Sequence, residues 1–386
     1  MHQKSNYYVI FAFENLNHKK ITMKDPVVLT LDAGGTNFVF SALKGNQELT
    51  EPIRLPSNAH DLDMCLASVI KGFEQLIEQI DEEPAAISFA FPGPADYESG
   101  VIGDLPNFPS FRGGVPLGPF LENHFNLPVF INNDGDLYAY GEALRGYLPS
   151  LNEELKTRGS VKTFRNVIGL TLGTGFGAGI VVKDVLLRGD NSCGGEIHNA
   201  ANKNNPLWNA EESVSTRAIQ RVYADEAGQA FDGELMPKDI FDIAKGKKEG
   251  NSTAALKAFA VYGENLGHAI ANIVTFIDGI IILGGGIVAA WELFSPAMFD
   301  EMSRQIENFK GEKSPRLSYK VYNLEDESVM DEFAKGKGTV LKVPGTDKTI
   351  EYDSLARVGV GISKIGASQA ISLGAYAYAV QGLAKA

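Results

Sequence analysis

Four stretches of this chain carry residue types suited to handling phosphate and hydroxyl groups. In Asp32-Ala33-Gly34-Gly35-Thr36, adjacent glycines expose successive backbone N–H groups that form a concavity for phosphate oxygens. Thr36 adds a hydroxyl, and Asp32 can hold a hydrated Mg²⁺. Gly173-Thr174-Gly175-Phe176-Gly177-Ala178-Gly179 offers similar backbone from the other half of the chain. Gly284-Gly285-Gly286 follows another apolar run, where bare backbone can approach a nucleotide's base or ribose. No Gly-Lys-Ser/Thr follows the first two clusters, which excludes a Walker A loop, and each leads into a strand, which disfavours a dinucleotide fold. Taken alone, the first stretch reads equally well as a hairpin turn without a ligand.

The fourth stretch, Asn132-Asn133-Asp134-Gly135-Asp136, ends an apolar run at 127–131. A carboxylate at a strand end can take the proton of an attacking hydroxyl, a contribution of roughly 10²–10⁴-fold. The competing reading is a helix cap, with Asp134 and Asp136 both candidates for it. Downstream, Glu196, His198 and Glu211 are candidates for sugar hydroxyls, which paired donors and acceptors recognise. Singly, His198 reads as a loop or core histidine and Glu211-Glu212 as a solvated helix start; their nearness to the second glycine cluster favours the binding role.

These groups need rigid positioning, and the sequence supplies it twice. Residues 27–44 and 167–183 each run an LTL strand into a glycine-rich turn and a second apolar strand ending at Lys, a weak internal repeat of a β-hairpin. Two similar α/β halves follow from that spacing. An amphipathic helix over 62–80, with apolar residues three and four apart, and a long apolar helix over 254–277 separate short buried strands at 85–91, 127–131 and 279–283. Ligands of such sheets gather at the carboxyl ends of the strands. Residues 305–353 turn polar and read as a surface insertion, and 245–252 as a solvated loop.

Length and composition agree. At 386 residues, with 44% hydrophobic and 22% charged residues, two packed domains are expected. A net charge of -13 opposes non-specific nucleic-acid binding. The two cysteines, Cys65 and Cys193, build neither a disulfide framework nor a four-thiolate zinc cluster, and a reducing cytoplasm is the default. The apolar run at 7–13 is too short to span a bilayer and lacks a cleavage site. Met23, just before the first strand, makes residues 1–22 an extension or the product of a misplaced start.

In order along the chain, these motifs resemble the ROK family of sugar kinases and sugar-responsive repressors, within the hexokinase-like and actin-like ATPases. The resemblance rests on Asp32 to Thr36, Phe91-Pro92-Gly93-Pro94, Pro106-Asn107-Phe108, Asn133-Asp134, the turn from Leu172 to Gly177, Gly195-Glu196, Leu283 to Gly286, Lys364-Ile365-Gly366-Ala367 and Leu373-Gly374-Ala375-Tyr376. It implies two ribonuclease-H-like domains of the actin-like ATPase type with a cleft between them. Residues 25–136 plus a C-terminal helix at 372–386 would form a small domain, and 137–371 a large one carrying the insertion, after an extension at 1–24. By this resemblance Asp134 is the base that deprotonates a hexose hydroxymethyl group. Asn107, Asn133, Glu196, His198 and Glu211 join it in binding the sugar. Asp32, Gly34, Gly35, Thr36, Gly173, Thr174, Gly175, Gly284, Gly285 and Gly286 bind Mg-ATP.

Two departures stand out. Family members usually have Glu-x-Gly-His, and Glu196-Ile197-His198 is one residue shorter, which bears on where His198 sits. The family's cysteine-rich zinc loop is replaced by 199–210 without cysteine, so no structural zinc is expected and Asn, Pro and Trp packing must hold that loop. About two dozen residues precede the first strand, whereas three helices of a DNA-reading domain need roughly 40. A kinase is the leading expectation and a catalytically weak sugar sensor the alternative, with sugar and ATP as partners and neither nucleic acid nor membrane. A homodimer is left open, with Trp291, Phe294, Phe299 and the insertion as candidate apolar surface.

Overall fold

The computed structural model describes residues 25–104 and 108–385. The proposed extension and Asn107 therefore lie outside the described residues. Two sheets form the scaffold, and each begins with the repeated hairpin. In the first, Val27–Ala33 pairs antiparallel with Asn37–Lys44 on one side and parallel with Pro84–Ala90 on the other, and Val129–Asn132 lies beyond. In the second, Asn166–Leu172 pairs antiparallel with Phe176–Val182 and parallel with Ile280–Gly284, followed by Arg357–Ile362 and Lys320–Asn323. The inner strands are apolar runs because both faces are covered.

Helix Leu62–Ile77 starts where the Asp61 carboxylate accepts from the Met64 N–H, and it buries Cys65, Val69, Phe73 and Leu76 at helical spacing. Phe73 meets Phe40 edge to face at 5.1 Å, and Phe91 packs on Phe108 at 5.0 Å, so aromatic rings fill this core. The second core is aliphatic. Helix Ser252–Phe276 lies against Trp291–Ser303, with Leu266, Ile270 and Val274 packed against Ile281 and Leu283 of the sheet cluster.

Two helices join the sheets. Helix Asp134–Leu144 follows the last strand of the first sheet, yet Tyr138, Ala139 and Tyr140 pack in the core of the second. The C-terminal helix Ala367–Leu383 starts earlier than the sequence suggested and serves both sides. Its Ala370 and Ala377 pack with Tyr138, while Tyr376 and Ala379 cover Val28 and Ala86 of the first sheet. Ser88 anchors it by donating to the Ala375 carbonyl at 2.8 Å.

The polar stretch 305–353 is not a simple insertion. Lys320–Asn323 is an edge strand of the second sheet, and helix Glu327–Lys335 buries Met330, Phe333 and Ala334. Only the hairpins Gln305–Glu307/Lys313–Pro315 and Gly338–Lys342/Thr349–Asp353 project, exposing Phe309, Val340 and Ile350. The proposed dimer surface also changes. Phe294 is fully buried, whereas Trp291 and Phe299 pack against the same core but stay partly exposed, so Phe294 drops out of that surface.

Candidate active site

A cleft of about 840 Å³ opens between the two units. Asn133 and Asp134 line it together with Glu196, His198, Glu211, the turn Gly173-Thr174-Gly175 and Gly285. Residues from distant parts of the chain thus line one cleft.

The base candidate is placed by backbone packing. A Cβ on Gly135 would lie 2.7 Å from the Ala178 carbonyl oxygen, and one on Gly179 2.3 Å from that of Gly135, so helix and strand touch with no side chain between them. That contact holds Asp134 at the first turn of its helix, where the helix dipole favours a carboxylate. The cap itself goes to Asn133, whose side-chain oxygen accepts from the Gly135 N–H at 2.8 Å. Asp134 Oδ1 accepts from the same N–H at 2.8 Å.

Also lining the cleft, His198 Nδ1 lies 2.9 Å from Glu196 Oε2, within the short turn that includes Ile197–Asn199. The shortened segment still brings acid and imidazole together in the cleft. Glu211 is more committed than expected. Its Oε2 accepts from the Phe176 N–H at 3.0 Å and its Oε1 from Arg217 at 2.9 Å, so it braces the second glycine turn. Thr216 completes the brace, its N–H donating to the Gly173 carbonyl at 2.9 Å.

The first turn stands apart. Asp32, Gly34, Gly35 and Thr36 do not line the cleft, although the Asp134 carboxylate reaches Asp32 electrostatically. Desolvation, then Asp134, raise the Asp32 carboxyl above its usual range against the pull of Arg54. Ser57 fixes this turn by donating from its hydroxyl to Gly35 at 2.6 Å and from its N–H to Thr36 at 3.0 Å. The triple glycine also divides. Gly284 makes room for the Tyr138 ring, 2.7 Å from where its Cβ would sit, and is a packing residue. Gly285 faces the cleft with φ of 90°, and Gly286 has open space at its Cβ position.

Asn202 organises the cysteine-free loop. Its amide donates to the Asn209 carbonyl at 2.9 Å and to Ser213 Oγ at 2.7 Å, and its oxygen accepts from the N–H groups of Asn204 and Asn205. Arg221 lies 4.3 Å over the Trp208 ring. Lys203 ties the loop to Glu301, a buried carboxylate that also accepts from Arg304 and Arg316.

Among the cleft residues that the sequence reading did not assign to the site are Tyr97 and Asp136. Tyr97 is buried, donates to the Phe91 carbonyl at 2.8 Å and lines the cleft. Asp136 is 4% exposed and lines it too. Neither has a local signal: a lone tyrosine after Pro94 and a second acid in a helix turn are common surface features.

Comparison with known proteins places this geometry. The ROK family model matches residues 28–328. A crystal structure of glucokinase from Parabacteroides distasonis superposes with a TM-score of 0.86 at 50% identity, covering 93% of this chain and 98% of that one. The glucokinase of Thermotoga maritima is 27% identical over 70% of this chain and 85% of its own length. A xylose repressor from Bacillus spizizenii is 26% identical over 69% of this chain and 66% of its own. With the two-domain actin-like ATPase fold and a family match over most of its length, the chain belongs to the ROK family.

Proposed function

We propose that this chain transfers the γ-phosphoryl group of ATP to the hydroxymethyl oxygen of glucose or a related hexose. The observation that carries the reading is the shared cleft. It sets Asp134, a carboxylate at a helix N-terminus, with the Glu196–His198 pair and a glycine turn braced by Glu211. The likeness to two glucokinases supports it.

In this reading Asn133, Glu196 and His198 hold sugar hydroxyls, with Asn107 and Glu211 assigned there by the family motif. Asp134 accepts the hydroxymethyl proton as the oxygen bonds to the γ-phosphorus and the bond to the bridging oxygen of ADP breaks. Backbone N–H groups of Gly173, Thr174 and Gly175 meet phosphate oxygens, and Gly285 and Gly286 leave room for the nucleoside. Asp32 would hold Mg²⁺ through water, and the ion would supply charge neutralisation; the negative field that Asp134 imposes on Asp32 fits a cation there. Closure of residues 25–136 on 137–371, about the two linking helices, brings Gly34, Gly35 and Thr36 over the phosphates and excludes water.

A cytoplasmic setting belongs to the same proposal. Cys65 and Cys193 are free thiols, and no described helix is long and apolar enough to cross a membrane. The repressor likeness favours one second reading, sugar sensing without transfer. A coupled ADP-release assay over a panel of hexoses and N-acyl hexosamines separates the two. Sugar-dependent release is expected; binding of sugar and ATP with no release by any sugar would falsify the kinase reading.

A further inference from the structure

Among the described residues, the hydrogen bonds that reach the turn at 173–176 from outside its hairpin come from one segment, 211–217. Glu211 Oε2 accepts from the Phe176 N–H at 3.0 Å. The Gly173 carbonyl accepts from the Thr216 N–H at 2.9 Å and from the Thr216 hydroxyl at 3.1 Å. Gly175 belongs to the same arrangement, because a Cβ there would lie 2.7 Å from Glu211 Oε2. At Gly173 a Cβ would meet nothing within 4 Å, so no side chain packs over the start of the turn. Its geometry therefore depends on what holds Glu211.

Glu211 faces two ways. Its side chain is 23% exposed and lines the cleft with Glu196 and His198. An ionised carboxylate offers about four lone-pair positions, and the Phe176 N–H and Arg217 take one each, which leaves room for ligand hydroxyls. Arg217 fixes the orientation. Its Nη2 donates to Glu211 Oε1 at 2.9 Å and to Glu212 Oε1 at 2.7 Å, while Arg221 lies 3.7 Å from Glu212 on the next turn of the same helix. Arg217 itself does not line the cleft.

We propose that Glu211 couples the two ligands, one carboxylate accepting a sugar hydroxyl while it holds the Phe176 N–H of the phosphate turn, and that Arg217 is the positioning residue that keeps it so oriented. This rests on the sugar-kinase reading for the identity of both ligands. A bound hydroxyl adds a further tie to the carboxylate, so the turn is fixed before the nucleotide arrives and sugar raises nucleotide affinity. By linkage, nucleotide raises sugar affinity by the same factor. Without Arg217 the carboxylate loses a bond that opposes its rotation, and the sugar hydroxyl and the Phe176 N–H compete for it.

The test measures AMPPNP affinity by calorimetry in the presence of Mg²⁺, with and without the sugar of the hexose and N-acyl hexosamine panel that binds, in wild type, Arg217→Ala and Arg221→Ala. The Arg217 side chain is 43% exposed, so its truncation spares the core. Wild type is expected to bind AMPPNP roughly fivefold or more tightly with sugar present. In Arg217→Ala that factor falls toward one and KM for ATP at saturating sugar rises, with kcat nearly kept. Arg221→Ala removes a cation paired with Glu212 and keeps the wild-type factor, which a merely structural role for the ion-pair cluster does not predict. Equal factors in wild type and Arg217→Ala, or equal losses in the two variants, overturn the proposal. A wild type that lacks coupling yet releases ADP on adding sugar overturns it and leaves the kinase reading standing. Coupling without release supports the role of Glu211 and sinks the transfer reading alone.

Discussion

Gly141 and Gly374 interlock where the two linking helices cross. A Cβ on Gly141 would lie 1.9 Å from the Ala370 carbonyl oxygen, and one on Gly374 1.9 Å from that of Leu137. Backbone that close admits no methyl group without displacing a helix. Gly374→Ala is expected to cost about 1–3 kcal/mol or more, read as a lowered urea midpoint. An unchanged midpoint would show that the helices separate freely and that the crossing is no constraint.

Asp134→Asn removes the proposed base while keeping the shape of the helix start. Turnover is expected to fall by roughly 10²–10⁴-fold with sugar affinity nearly unchanged, measured by ADP release and calorimetry. Full activity in this variant removes Asp134 from the base role.

Asn202→Ala strips four hydrogen bonds from the loop next to His198. The expected result is a loss of about 2–3 kcal/mol in stability and a raised sugar KM, with kcat less affected, because the loop backs the binding wall and not the base. Equal loss in kcat and kcat/KM would contradict that division.

Glu301 and His268 make the large unit sensitive to acid. Burial opposes ionisation of Glu301, but hydrogen bonds from Lys203 and Arg304 hold its carboxyl below the usual range. Burial and Arg316 lower His268 below its ordinary 6.5, and Arg316 lies 3.2 Å from its Nδ1, the geometry of a neutral imidazole. The folded state binds protons more weakly than the unfolded at both sites, so their contribution is present near neutrality. It fades as pH falls through about 6.5 at His268, then toward 4.5 and below at Glu301. Thermal melts at about pH 7.5 and pH 5 should show this loss. Glu301→Gln, which takes the paired carboxylate from the buried Arg316 guanidinium, should lower stability by about 3 kcal/mol at neutral pH. Melts that do not change between the two pH values would exclude the effect.

What the sequence made legible were the local signals. Glycine pairs between alternating apolar strands marked both hairpins, and a short apolar run placed Asp134 at a strand end. Glu211 kept its address but not its freedom, because its bond to the Phe176 N–H spans 35 residues and has no periodicity. Gly284 looked like its two neighbours, and only the Tyr138 ring distinguishes it. Lys320–Asn323 hid its place in the sheet because an edge strand with one buried side chain keeps a polar composition. Asp136 was visible as a cap competitor alone; its burial in the cleft comes from packing that no single segment encodes.

The Asn202 hub carries a consequence for the conditions under which the binding wall survives. Its cross-links are amides, a hydroxyl and carbonyls, none of which a chelator extracts or an oxidant converts. Those four bonds involve neither a metal nor a thiol, so a chelator leaves them in place.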